Sequence, residues 1–195
     1  MAFNFRFAPG FAAPRKTAFL DRDGVINIDH AYVGKKELFD FVPGALEGMR
    51  LLSRAGFALV IITNQSGIGR GKYSLQDFAG LSFWLAGRCE AAAAPLSGIF
   101  FCPHHPEKAL APFLLDCGCR KPAPGMILEA ARTLNLDLRQ SLFIGDKDSD
   151  MRAALAAGIP RRILLQSDGS APFDACTNST EQARDLLSVG RLICP

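Results

Sequence analysis

Three apolar runs of the chain end in polar groups that packing does not call for: "FLDRD" (19–23), "IITNQSG" (61–67) and "FIGDKDSD" (143–150). In open parallel sheets ligands collect beyond the carboxyl ends of the strands. A helix cap accounts for one such ending, or two; three on one sheet edge point to a site. Asp21 and Asp23 are two apart, so in an extended chain both side chains leave one face. Unpaired, two such carboxylates repel and one tends to hold a proton. A divalent cation removes the conflict, and with Asp146 as a third carboxylate the oxygen-rich set suits Mg²⁺ with several waters. The chemistry that needs this set is phosphoryl transfer through a carboxylate nucleophile. Asp21 attacks phosphorus; Asp23 protonates the leaving oxygen and then takes a proton from the hydrolysing water. Thr63, with the N–H groups of the turn after it, supplies neutral donors to the phosphoryl oxygens. Lys121, in "CRKP", supplies a positive charge.

A second constellation lies in "CPHHP" (102–106) and "CGC" (117–119), a C-x-H…C-x-C pattern around a twelve-residue spacer. Cys102, Cys117 and Cys119 with one histidine satisfy the closed tetrahedron of structural zinc. Spacing alone leaves His104 and His105 both open as the fourth ligand, and Asp116 is a weaker competitor beside two thiolates. The spacer holds Pro106 and Pro112 and few core side chains, so a metal is what would fold it. Arg120 and Lys121 follow the last ligand directly, which ties them to that staple.

The elements that must position these residues alternate. Strands are expected at 16–21, 57–63, 98–102, 141–146 and 161–166, and helices at 44–55, 74–92, 124–134 and 149–158, with a last helix near 180–189. This alternation means right-handed crossovers, hence a doubly wound, Rossmann-like α/β fold with a parallel sheet and helices on both faces. No insertion between Asp23 and Thr63, or between Thr63 and Lys121, is long enough for a cap domain. The domain is expected over 16–195, with its zinc-stapled loop at 102–119 and residues 1–15 as an extension packing loosely on the body. The 195 residues are 49% hydrophobic and 21% charged, which are globular values. A net charge of +3 without a Lys/Arg run excludes a nucleic-acid partner, and no apolar run approaches a membrane span. The Phe-rich N-terminus lacks a basic start and an unbroken apolar core, so no signal peptide is expected and a cytoplasmic place follows by default. The six cysteines are then better read as metal-binding than as disulfides.

"DRDG", "TNQSG", "CRKP" and "GDKDSD", in that order and each at an element boundary, resemble the haloacid dehalogenase superfamily of phosphatases. Within it, "LDRDGVIN", "DHAYV", "TNQSGIGRGKYS", "CPHHP", "CRKPAPGM" and "GDKDSDM" resemble the heptose bisphosphate phosphatase family, over about Thr17 to Ile163. The resemblance implies hydrolysis of the 7-phosphate of a D-glycero-D-manno-heptose 1,7-bisphosphate through a phosphoaspartyl intermediate. It gives Mg²⁺ to Asp21, the main-chain carbonyl of Asp23 and Asp146, and zinc to Cys102, His104, Cys117 and Cys119. It gives phosphate stabilisation to Thr63 and Lys121. Substrate contacts fall to Asp29, His30, Ala31, Tyr32, Asn64, Gln65, Ser66, Arg120 and Lys147.

Ala31 stands where glycine is common, which bears on the conformation of that loop and not on the acids. Ser149 also departs from the pattern, while Asp150 is retained to orient Asp146 or Lys147. A second phosphate needs cations of its own, and Arg120, Lys147, Arg70 and Lys72 sit in the right loops. The expected partner is a small phosphorylated sugar, bound by a monomer. The rivals are histidinol phosphatase, a related zinc-loop enzyme, and a non-catalytic sugar-phosphate-binding module. Intact Asp21, Asp23, Lys121 and Asp146 speak against the second.

Overall fold

The computed structural model describes residues 2–166 and 178–194. Seven strands form one sheet in the order β1-β4-β3-β2-β5-β6-β7. They are β1 Phe3–Arg6, β2 Thr17–Leu20, β3 Ala58–Asn64, β4 Leu96–Cys102, β5 Leu142–Gly145, β6 Arg161–Leu165 and β7 Glu181–Ala183. All neighbours run parallel except β1, which pairs antiparallel with β4 (Phe3 opposite Phe101, Phe5 opposite Ile99). The inner strands are buried on both faces, as their unbroken apolar runs require. After β2 the chain adds β3 and β4 on one side, and β5, β6 and β7 on the other, so strand order reverses beside β2. The carboxyl ends of β2, β3 and β5 therefore meet at the switch point where such sheets bind ligands.

Among the described residues there are six helices: α1 Ala45–Arg54, α2 Ser66–Gly69, α3 Leu75–Ala91, α4 Gly125–Leu134, α5 Asp148–Ala156 and α6 Leu186–Ile193. On one face α1, α3 and α6 bury Met49, Leu52, Phe78, Leu81, Leu186 and Val189 against the sheet. On the other, α4 and α5 bury Met126, Ile127, Ala130, Leu134 and Met151. The long α3 starts where its sequence asks: Ser74 Oγ accepts from the Asp77 N–H at 3.0 Å, and Asp77 Oδ2 accepts from the Ser74 N–H at 2.9 Å. No helix among the described residues is long and apolar enough to cross a membrane.

Two terminal expectations change. The segment expected to pack loosely at the N-terminus contains β1, because Phe3, Phe5 and Phe7 alternate with Asn4 and Arg6 in the two-residue period of a half-buried strand. Phe3 and Phe5 lie 5.6 and 5.3 Å from the Phe101 ring, and Phe7 is 5.8 Å from Phe83. The helix expected near 180–189 begins only at Leu186, with Asp185 as its cap, and β7 precedes it. That strand joins the sheet on a bidentate Arg161–Glu181 pair (2.6 and 2.8 Å). Cys176 lies outside the described residues.

Candidate active site and metal centre

β2 delivers Asp21 one residue past its end, and the Asp21 N–H still donates to the Ile144 carbonyl of β5 at 2.9 Å. The chain then turns: Gly24 has φ +85°, and a Cβ there would sit 2.2 Å from Asp146 Oδ2, so only glycine lets the two loops approach. The turn separates the two acids of the first loop. Asp21 is buried, with Oδ1 accepting from the Arg22 N–H at 2.7 Å and lying 2.9 Å from Lys121 Nζ. Asp23 faces the cavity, its Oδ1 and Oδ2 2.8 and 3.0 Å from Arg22 Nη2, with Asn27 Nδ2 donating to Oδ1 and Gln65 Nε2 to Oδ2.

Lys121 is 4% exposed and reaches across the site. Its ammonium donates to the Ile62 carbonyl at 3.0 Å and pairs with Asp21 at 2.9 Å and Asp150 at 2.6 Å. Asp150, at the third position of α5, also accepts from the Lys147 N–H at 3.1 Å. The acid expected to orient Asp146 or Lys147 thus holds the Lys147 main chain and pairs with Lys121. Oxygens of Asp21, Asp146 and Asp150 all lie within 4.8 Å of one another. Burial pushes the Asp21 carboxyl up to about 7, Lys121 pulling it down and Asp150 and Asp146 adding to the rise. Burial likewise lifts Asp146 to about 6. For Asp23 burial acts upward too, but the Arg22 guanidinium and the Asn27 and Gln65 amides outweigh it and hold the carboxyl below its ordinary value. Lys121 is raised above the usual lysine value, its two carboxylate partners outweighing burial.

This cluster fits a divalent cation. Asp146 Oδ1 is buried without a hydrogen-bond partner among the described residues, and oxygens of three carboxylates converge within 4.8 Å of one another. Oxygen-only ligands of this kind suit a hard ion.

A cavity of about 440 Å³ opens over Asp21, Asp23, Thr63 and Lys121. Of the expected substrate contacts, Asp29, Ala31, Tyr32, Asn64, Gln65, Ser66, Arg120 and Lys147 line it. His30 does not; its ring pairs with exposed Asp40 at 2.8 Å. Asp146 lines a neighbouring cavity of about 360 Å³ with Gly24, Asp29 and Arg184. Asn64 clamps the Lys121 loop, donating to the Lys121 carbonyl and accepting from its N–H, both at 3.1 Å. Ala31 and Tyr32 have φ +57° and +58°, the left-handed region that favours glycine. Arg70 Nη1 donates to Tyr32 Oη at 2.9 Å, and Arg70 and Lys72 lie 5.7 and 5.8 Å from the Tyr32 ring centre. Gly67, Tyr73 and Ser149 line the cavity without having been expected there, and Asp150, expected only as an orienting acid, lines it too. "DSD" places Asp150 at a helix start, where an acid caps the Lys147 N–H.

Beside Lys121, Cys102, His104, Cys117 and Cys119 converge. Cys102 Sγ is 3.6 Å from His104 Nδ1 and 3.5 Å from Cys117 Sγ; Cys119 Sγ is 3.2 Å from Cys117 Sγ and 3.5 Å from His104 Nδ1. A zinc tetrahedron has edges of about 3.5–3.8 Å, so the group fits that ion. His105 is turned away: its Nδ1 accepts from the N–H groups of Glu107 and Lys108 at 3.2 and 3.1 Å. A hydrogen bond from Cys102 is the main cause that lowers the Cys119 thiol to about 5, so a thiolate is already favoured there. Arg120 Nη1 donates to the His104 carbonyl at 3.2 Å, joining this loop to the cavity wall.

The HAD-hydrolase-like family model matches residues 118–186. The chain is 44% identical over 167 residues to the D-glycero-beta-D-manno-heptose-1,7-bisphosphate 7-phosphatase of Yersinia pestis, covering 83% of this chain and 89% of that protein. Among solved structures, a putative HAD-like phosphatase from Mesorhizobium loti superposes with a TM-score of 0.83 at 29% identity, over 100% of this chain and 95% of the other. The D,D-heptose 1,7-bisphosphate phosphatase of B. bronchiseptica, complexed with magnesium and phosphate, gives 0.76 at 30% identity, over 91% and 97%. With a phosphatase relative matched at that identity over nearly its whole length, the chain belongs to the HAD-like hydrolases, in the family of the heptose-1,7-bisphosphate 7-phosphatases.

Proposed function

We propose that this chain is a magnesium-dependent phosphomonoesterase that removes the 7-phosphate of D-glycero-D-manno-heptose 1,7-bisphosphate through a phosphoaspartyl group on Asp21. The observation that carries the substrate is the 44% identity to a curated 7-phosphatase across 89% of its length. With Asp21 Oδ1 held by the Arg22 N–H and by Lys121, Oδ2 is the oxygen left to attack phosphorus. Asp21, the Asp23 main-chain carbonyl and Asp146 would hold a divalent ion, which would supply Lewis-acid charge to the carboxylate and the phosphoryl oxygens. Lys121 and the Thr63 hydroxyl hold the phosphoryl oxygens as charge moves onto them. Asp23 then serves twice. Phosphate arriving beside it raises its pKa, because like charge disfavours the carboxylate, and the protonated form gives its hydrogen to the leaving sugar oxygen. Once the sugar departs, the Arg22, Asn27 and Gln65 contacts favour the carboxylate again, which is the form that takes a proton from the attacking water.

Zinc at Cys102, His104, Cys117 and Cys119 has a structural part in this reading: it fixes the loop that carries Arg120 and Lys121. Protein prepared under reducing conditions is expected to hold about one tightly bound zinc, the count a four-ligand site calls for. Metal analysis finding none would remove the staple from the account.

The substrate is tested by phosphate release from both anomers of the heptose bisphosphate, with histidinol phosphate as comparator. The expected result is a higher kcat/KM for the bisphosphate, the β anomer named for the relative being the better of the two. A kcat/KM that favours histidinol phosphate overturns the assignment.

A further inference from the structure

The Gln65 side chain faces the protein, although its loop lines the cavity. It is 2% exposed, and its N–H is tied to the Cys102 carbonyl at the end of β4 (2.8 Å). An amide nitrogen has two hydrogens, and both are engaged: Nε2 donates to Asp23 Oδ2 at 2.9 Å and to Thr63 Oγ1 at 2.8 Å. Its Oε1 accepts from Tyr73 Oη at 2.5 Å. We propose that Gln65 is a positioning residue that couples the acid/base carboxylate of Asp23 to the phosphate-holding hydroxyl of Thr63, with Tyr73 fixing which way its amide faces. The inference rests on the roles given above to Asp23 and Thr63.

The direction of the amide matters. Turned over, it would set Oε1 against Asp23 Oδ2, oxygen against oxygen, and leave Thr63 Oγ1 without its donor. The Tyr73 hydroxyl disfavours that turn by donating to Oε1, and burial raises its pKa above the ordinary tyrosine value, so it keeps its hydrogen. The ring cannot swing aside. A Cβ at Gly34 would lie 2.1 Å from it and one at Gly67 2.3 Å, so the backbone at Gly34 and at Gly67 of α2 packs directly against the ring.

Two consequences follow for the chemistry. Because Thr63 Oγ1 already accepts a hydrogen from Gln65, its own hydrogen is left for another acceptor, the part a phosphoryl oxygen bound in the cavity would play. For Asp23, Arg22 and Asn27 both come from its own loop, whereas Gln65 reaches it from the end of β3. That bond fixes the carboxylate relative to the phosphate pocket and not merely relative to its own turn.

A proton donor matters most when the leaving oxygen is an alkoxide, and little when it leaves as a stabilised phenolate. The test therefore compares kcat on the sugar phosphate with kcat on p-nitrophenyl phosphate, using Gln65→Met, Tyr73→Phe, the double variant and Asp23→Asn as reference. Gln65→Met keeps the chain length and removes both donors. It is expected to lose at least about tenfold more on the sugar ester than on the aryl ester, a fraction of what a whole acid/base group contributes. KM should change little. Tyr73→Phe is expected to shift in the same direction by a few-fold, and to add nothing once Gln65 is methionine, since it acts through that amide. Equal losses on both esters, or additive effects of the two substitutions, overturn the inference. Should Asp23→Asn itself show no difference between the esters, the acid/base reading fails first. Should Asp23→Asn discriminate while Gln65→Met and Tyr73→Phe do not, only the positioning role fails. Thermal unfolding of each variant separates loss of fold from loss of alignment, and the conservative Tyr73→Phe keeps the test open if Gln65→Met folds poorly.

Discussion

Asp21→Asn is expected to lower turnover by on the order of 10⁴-fold or more while the protein stays folded, because the amide cannot form the acyl phosphate on which both half-reactions depend. The stability side of the same variant has a definite sign. In the metal-free protein, burial lifts the Asp21 carboxyl from 3.8 to about 7. Between those values the native state binds more protons than the unfolded state, so this group's contribution to stability falls as pH rises through the window and is fully lost above it. Asparagine has no charge to bury. The metal-free variant should therefore gain on the wild type as pH is raised from 3.8 to about 7, and the gain should level off beyond. Mg²⁺ should stabilise the wild type more than the variant, since the ion compensates the charge that the substitution removes. Thermal unfolding with and without Mg²⁺ across that window measures both effects. Phosphate release by Asp21→Asn at the wild-type rate would exclude Asp21 as the nucleophile.

The residues behind that expectation stand where period and composition make them readable. Asp21, Thr63 and Asp146 each end or follow an apolar strand, where a polar side chain has no packing reason to be. The four zinc candidates carry their own spacing. What pattern could not supply is side-chain partnership between distant loops. Nothing in "DSD" says that Asp150 meets Lys121 at 2.6 Å, because that contact depends on where the Lys121 loop is laid across the sheet edge by Asn64 and the cysteine cluster. The choice between His104 and His105 is likewise made in space, by two backbone N–H groups that occupy the ring of His105. Tyr73 lies inside "TNQSGIGRGKYS", yet nothing in that motif tells that its hydroxyl meets the Gln65 amide. The N-terminal strand is a different case. The Phe3-Phe5-Phe7 alternation was legible as a strand, but the edge it completes belongs to β4, far along the chain, and a lone amphipathic strand has no meaning until that partner exists. At the other end, "EQA" has little strand propensity, and β7 forms because the β6 edge and Arg161 are there to receive it.

The contact between Lys121 and Asp150 leads to the second large effect. Lys121→Met removes the ammonium that pairs with two buried carboxylates and is expected to damage the fold and the chemistry separately. Breaking a buried ion pair by deleting one partner costs about 3–5 kcal/mol, since the remaining charge loses its compensation without regaining water. The ammonium donates to the Ile62 carbonyl and pairs with Asp21 and Asp150 at 2.9 and 2.6 Å, so two carboxylates lose their counter-charge and a carbonyl loses its donor together. Activity should fall by roughly 10²- to 10³-fold, the size of effect seen when a charge aimed at a transition state is removed. Adding Asp150→Asn to Lys121→Met takes away one of the stranded charges, and should return a large part of the lost stability without restoring turnover. Lys121→Arg should not substitute, because a planar guanidinium cannot meet three partners arranged around one nitrogen. Denaturant unfolding of the single and double variants, read beside kcat, separates the two losses. If the double variant regained activity along with stability, Lys121 would be holding the loop in place and nothing more. If the single variant kept its stability, Lys121 would not be compensating buried charge, and the structural half of its role would fall.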